Sequence, residues 1–171
     1  MRGVAARVRR AAGERLRDAE RAGDMKSVWD LAMRGELKLR LSALSENQTP
    51  QWGKMSAARM VVHIADSFRS SIGELYVKPK WSPLQYSPLR DWVIYRLPFP
   101  KNVPTAPELV ARVPGEYAAE VALLESLIDR FATRHREGAW PVHAAFGRLS
   151  GDDWGVLMYR HTDHHFRQFG I

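Results

Sequence analysis

Residues 78–107 hold most of the chain's ten prolines, and no other stretch limits the fold so strongly. Each proline fixes its own φ, lacks an N–H and pushes the preceding residue out of the α region. A long helix or an inner strand cannot run through such a segment. It is expected to be a long crossover between two helical halves. Pro88 to Leu97 is interrupted by no further proline, so a short helix with Pro88 in its first turn is expected there. Pro98 to Pro107 must be extended. A connection of this length usually carries function or covers something.

Both flanks read as helix. From Ser27, a candidate N-cap with Asp30 three residues on, a first helix is expected to about Ala43. Its stripe is Val28, Leu31, Ala32, Leu39 and Leu44, with Trp29 and Leu37 beside it. Ser56 caps a second helix to about Tyr76, with Ala57, Met60, Ile64, Phe68, Ile72 and Leu75 as its core stripe. Pro114 starts a third, carried by Tyr117, Val121, Leu124, Leu127, Ile128 and Phe131 to about His135. Ser150 caps the last, with Asp152 and Asp153 at its positive end. Gly138 to Leu149 is a loop. No strand alternation and no internal repeat appear. The expected fold class is all-α, a four-helix bundle with the long crossover between helices two and three.

The last helix changes character along its length. Trp154, Leu157, Met158, His161, His165 and Gln168 recur at intervals of three and four and share one face. The stripe begins as ordinary core and ends as imidazole. Histidines at i and i+4 stand one turn apart, a separation a single divalent cation can bridge. Such pairs also arise on any helix surface, but burying two imidazoles without partners is costly. A third ligand is needed, and His63 in the second helix is the candidate. By the 100° step His63 lies off that helix's stripe. Val61, Val62 and Ala65 widen the apolar surface, so His63 would have to face a second interface.

Composition narrows the chemistry. The 171 residues suit one domain, and cysteine is absent, so a metal must be held by His, Asp, Glu, carbonyls or water. The absence of cysteine suits a cytoplasmic setting. The net charge is +7, but residues 1–24 alone contribute +3 through seven arginines and four acids. That Arg-rich stretch is expected to be an N-terminal extension or upstream sequence from an early start codon, with the domain spanning 25–171. The remaining charge is dispersed and lacks interleaved aromatics, which argues against nucleic acid as the main partner. No apolar run is long enough to span a membrane, and no secretory signal is evident.

Around the three histidines other residues have candidate roles. Gln168 shares the histidine face and is placed to orient a ligand, or else to pack the helix end. Asp66, one turn after His63, is a candidate acceptor for an imidazole N–H, the commoner fate being a solvated carboxylate. Trp52 and Trp154 are candidate pocket walls or plain core. His143 either approaches the metal from its loop or closes the bundle end. His164 is expected to be exposed or to lie just behind the ligands, and His135 to be solvated.

Four separated segments carry a resemblance. They are Trp52-Gly-Lys-Met-Ser-Ala-Ala-Arg-Met-Val-Val-His63, Pro100-Lys-Asn-Val-Pro-Thr105, His143-Ala-Ala-Phe-Gly147 and Tyr159-Arg-His161-Thr-Asp-His-His165-Phe-Arg-Gln-Phe-Gly170. In this order, over Met25 to Ile171, they resemble a branch of the DinB/YfiT-like superfamily of metal-dependent enzymes. The resemblance implies a four-helix bundle whose divalent ion, zinc or nickel foremost, is held by His63, His161 and His165. It also implies a transferase using a low-molecular-weight thiol, or a hydrolase, acting on a small molecule as a homodimer. Ala144 departs from the branch, where proline commonly follows the loop histidine, and residues 1–24 have no counterpart in it.

The functional expectation is a metal-dependent enzyme that activates a thiol or water against a small-molecule substrate. The alternative is a non-catalytic, metal-stabilised helical module. A third reading, nucleic-acid binding through the Arg-rich arm, requires salt-sensitive binding. No nucleophile, carboxylate pair or phosphate-cradling glycine loop is evident.

Overall fold

The structure, a computed structural model, describes residues 25–171 and is all-α. The Arg-rich stretch 1–24 lies outside the described residues. Among the described residues five distinct helices follow one another: α1 (Leu31–Ser42), α2 (Ala57–Ser71), α3 (Leu89–Tyr95), α4 (Tyr117–Ala132) and α5 (Gly151–Gln168). This corrects the expected four-helix bundle. The crossover contributes α3 as a helix in its own right, packed on α5. Short 3-10 turns at Pro83–Gln85 and Pro107–Leu109 flank it.

Local hydrogen bonding explains where the helices begin. Ser56 accepts from the Arg59 N–H, and Ser150 forms a reciprocal capping box with Asp153. The expected cap of one helix and the expected start of another are corrected. Asp30 rather than Ser27 caps α1, its carboxylate accepting from Ala32 N–H at 2.8 Å. Glu116 caps α4 by accepting from Ala118 and Ala119, so that helix starts after Pro114. α2 ends at Ser71, short of Tyr76, where Gly73 turns the chain at φ +84°. The stripe of α1 also differs: Leu37 and Leu41 are buried, whereas Leu31 and Leu39 are about three-quarters exposed, at 75% and 73%. Leu39 stands about 200° round the helix from Leu37, so only one of the two can face the core.

α2 is the central element, packing most closely on α4 and also on α5 and the Pro107–Leu109 turn. Eleven of its fifteen residues are buried, which leaves it almost no solvent face. α5 lies against α1, α2 and α3. Its N-terminal half is core, with Trp154, Val156, Leu157, Met158 and Tyr159 all buried. Gly155 lets residues 27–29 cross α5 closely: Val28 N–H donates to its carbonyl, and a Cβ there would run into the Trp29 ring. α3 is fastened to α5 by polar contacts. Arg160 donates to the Val93, Ile94 and Leu97 carbonyls at the end of α3, and the buried Tyr95 hydroxyl donates to Asp153 at 2.6 Å. The Arg160 bonds to Val93 and Ile94 capture carbonyls that α3 leaves unpaired at its C-terminus. No helix among the described residues is long and apolar enough to cross a membrane.

Candidate metal centre

α5 and α2 bring three histidines together at the point where the apolar stripe of α5 ends. His63, His161 and His165 form a cluster whose ligand nitrogens all lie within 4.8 Å of one another. The Nε2 of His161 is 3.2 Å from the Nε2 of His63 and 3.2 Å from the Nε2 of His165. The rings stand edge to face, with centroids 4.8 to 5.0 Å apart. His63 is 4% exposed, so the second interface it required does exist: α2 is enclosed on nearly every side.

The outer nitrogens determine what the inner ones offer. His63 Nδ1 lies 3.1 Å from the Leu109 carbonyl, which can only accept, so Nδ1 carries the proton. Gln168 donates through its Nε2 to the Trp52 carbonyl at 2.8 Å, which turns its Oε1 toward His165 Nδ1, also at 2.8 Å. His165 Nδ1 is therefore protonated as well. In the neutral rings both Nε2 atoms then present bare lone pairs to His161. His161 Nε2 has at most one proton to share between them. At least one lone pair in the cluster is unsatisfied, an expensive arrangement for buried groups.

A divalent cation resolves that conflict. Zinc–imidazole bonds of about 2.0–2.1 Å in a tetrahedral site put ligand nitrogens about 3.3 Å apart, close to the two 3.2 Å separations. The outer N–H···O contacts to Leu109 and Gln168 are the kind that fix tautomer and ring orientation in metal-binding histidines. The cluster is thus a buried three-histidine site capable of coordinating a divalent metal ion. Burial also holds the ligands neutral. It pushes His165 down to about 3, with His63 adding to the effect, and it holds His161 well below the ordinary histidine range, with His165 and His63 adding to it. His63 is lowered by burial too, against the Leu109 contact and the Asp66 charge, which pull it back up.

The other candidate residues fall into different places. Gln168, itself buried, links His165 to the Trp52 backbone. Trp52 contributes its carbonyl there, while its ring packs edge-on to His164 at 5.8 Å. His164 stands beside the cluster, half-buried, its centroid 5.4 Å from that of His165. Asp66 contacts no imidazole nitrogen. It is 1% exposed and accepts from Arg112 Nε at 3.1 and 3.3 Å and from Arg69 at 3.2 Å. His143 is outside the cluster: its Nδ1 accepts from the Ala145 and Phe146 N–H groups, and its ring lies 5.1 Å from that of Trp154, tilted by 50°. Burial alone lowers its pKa to about 4. Trp154 is core, with its indole N–H on the Pro141 carbonyl.

Two contributors had no legible signal in the sequence. The Leu109 carbonyl is a backbone group, indifferent to residue type. Arg112 forks between two elements, gripping Asp66 on α2 and, through Nη1, both oxygens of Glu120 on α4 at 2.6 and 2.7 Å. This pins the segment that carries Leu109 against His63.

A family model described as a protein of unknown function, DUF1569, matches residues 29–170. The chain belongs to that family. No curated protein and no solved structure matches it. For DUF1569, the all-α domain and its three-histidine cluster are consistent with a DinB/YfiT-like superfamily. The matched span of this DUF1569 chain includes all three histidines and Gln168.

Proposed function

We propose that this protein is a metal-dependent enzyme, with His63, His161 and His165 holding a zinc or nickel ion, acting as a transferase or hydrolase on a small molecule. The observation that carries this reading is the convergence of three Nε2 atoms whose outer partners leave two of them as bare lone pairs. When bound, such an ion would supply the means to acidify a thiol or water and to polarise a substrate oxygen. His63 and His165 supply ligand nitrogens fixed in orientation by Leu109 and Gln168. His161 completes the set from the middle. Trp52 and Phe99 flank His164 beside the site and keep its approach partly apolar. The likeness to the DinB/YfiT-like superfamily supports the thiol-transferase form and a homodimeric assembly.

Metal analysis of untagged protein tests the ligand set: about one divalent ion per chain is expected, and none in His161→Ala. Turnover of small electrophiles with cellular thiols, or of hydrolysable esters and amides, tests catalysis. Chelation that lowers thermal stability while no substrate turns over would instead favour a non-catalytic, metal-stabilised module.

A further inference from the structure

The segment Pro100-Lys-Asn-Val-Pro-Thr105 is unused by the ligand set, yet it folds back beside the histidine cluster. Lys101 Nζ sits 4.2 Å from the centroid of the Trp52 ring. That ring is 5.8 Å from His164, and His164 is 5.4 Å from His165. Phe99, two residues before Lys101, packs on His164 at 6.0 Å. Two backbone features permit this approach. Gly53 takes φ +79° and Asn102 takes φ +59°. A Cβ on Gly53 would lie 2.8 Å from Gln168 Nε2 and 3.5 Å from Asn102 Oδ1, so the two loops close over the residue that holds His165.

The ammonium is positioned but not neutralised. A cation–π contact fixes its place without cancelling its charge. Lys101 has no hydrogen-bond or ion-pair partner among the described residues, whereas Lys26 and Lys38 are paired with Glu36 and Asp129. Asp163, the carboxylate next to His164 in sequence, is taken by Arg40 at 2.8 Å and Arg167 at 3.0 Å. Three neutral imidazoles also bring no charge to offset a divalent ion. The ammonium and the ion site therefore both favour negative charge.

Resting on the metal site proposed above, we infer that Lys101 binds an anionic tail on the small molecule that this site accepts, with Trp52 and Phe99 walling its apolar spacer. The Arg160 guanidinium over the Phe99 ring is taken up by the Val93, Ile94 and Leu97 carbonyls, so Lys101 offers a single ammonium, which suits a singly charged group such as a carboxylate or sulfonate.

The test uses the full chain loaded with cobalt(II) and three thiols with the same two-carbon spacer. These are 3-mercaptopropionate, 2-mercaptoethanesulfonate and neutral 2-mercaptoethanol, titrated by thiolate-to-cobalt absorption. Both anionic probes are expected to outbind the neutral one. The ratio should fall about tenfold in Lys101→Met, shrink with added salt, and survive in Lys101→Arg. A preference for only one anion would identify the carboxylate or the sulfonate as the group recognised. An unchanged ratio in Lys101→Met overturns the inference and leaves the metal site standing. So does a cobalt spectrum altered by that substitution, which would make Lys101 structural. If the wild type takes up no cobalt, the metal site and this inference fall together.

Discussion

His63 meets the carbonyl of Leu109 through Nδ1 at 3.1 Å, and that contact decides which end of the ring can act as a ligand. The carbonyl comes from the Pro107–Leu109 turn, which Arg112 ties to Asp66 and Glu120. Arg112→Met would leave Asp66 with only Arg69 and the Glu120 carboxylate with only the Gly115 N–H. Burial opposes the charge on Glu120, but Arg112 and the Gly115 N–H more than offset it and keep its pKa lowered. The expected loss is about 3 kcal/mol of stability, the lower end for a broken buried ion pair, because the Arg112 side chain is 29% exposed. Urea unfolding measures it. Metal affinity should fall in the same variant, while an Arg130→Met control at an exposed pair should alter neither by much.

Gln168 acts on the metal through His165. Gln168→Leu removes the acceptor for His165 Nδ1 and the tie to the Trp52 carbonyl. Competition with a chromogenic chelator should show metal affinity reduced about 10–100-fold with the helical circular dichroism intact. Gly53→Ala should move affinity the same way, since its Cβ would press on Gln168 Nε2 and its φ is left-handed.

His161 gives the sharpest contrast between stability and function. With metal absent, its Nε2 faces two lone pairs and satisfies at most one. His161→Leu should therefore be no less stable than wild type in the presence of chelator, as measured by thermal melting. With metal at about a thousand times its dissociation constant, wild type should gain about 4 kcal/mol and the variant nothing. A variant strongly destabilised in chelator would mean that the cluster is mainly structural.

His143 predicts a pH dependence from a group outside the ligand set. Its folded pKa is lowered to about 4 by burial, against an ordinary 6.5. Below 6.5 the unfolded chain binds a proton that the native state refuses, so stability is full above about pH 6.5. It is lost as pH falls toward 4, at about 1.4 kcal/mol per pH unit for this one group. Unfolding at pH 7, 6 and 5 in chelator should show a slope that includes this contribution, and His143→Asn should reduce the slope by that amount. His165, lowered to about 3, adds a slope of the same sign.

Some of this was legible from residue order alone because it is local. Ser56 and Ser150 cap their helices through hydrogen bonds spanning three residues, which sequence displays directly. His161, His165 and Gln168 share a face because helical periodicity places them there. Ser27 misled because Asp30, closer to the first turn, offers a stronger acceptor. The count of four main helices also fell short. Arg160 and Asp153, distant in sequence, hold α3 against α5 as a full element.

By itself the sequence determined an all-α chain with an imidazole stripe ending its last helix, since period and propensity are properties of neighbours. The tertiary structure alone decided that His63 joins that stripe. A helix wheel cannot say which side of a helix meets a second partner, and α2 is buried on nearly all sides. It also decided that Asp66 serves Arg112 while a backbone carbonyl serves His63. Those choices depend on contacts more than forty residues apart, where geometry and charge select partners that no spacing rule encodes.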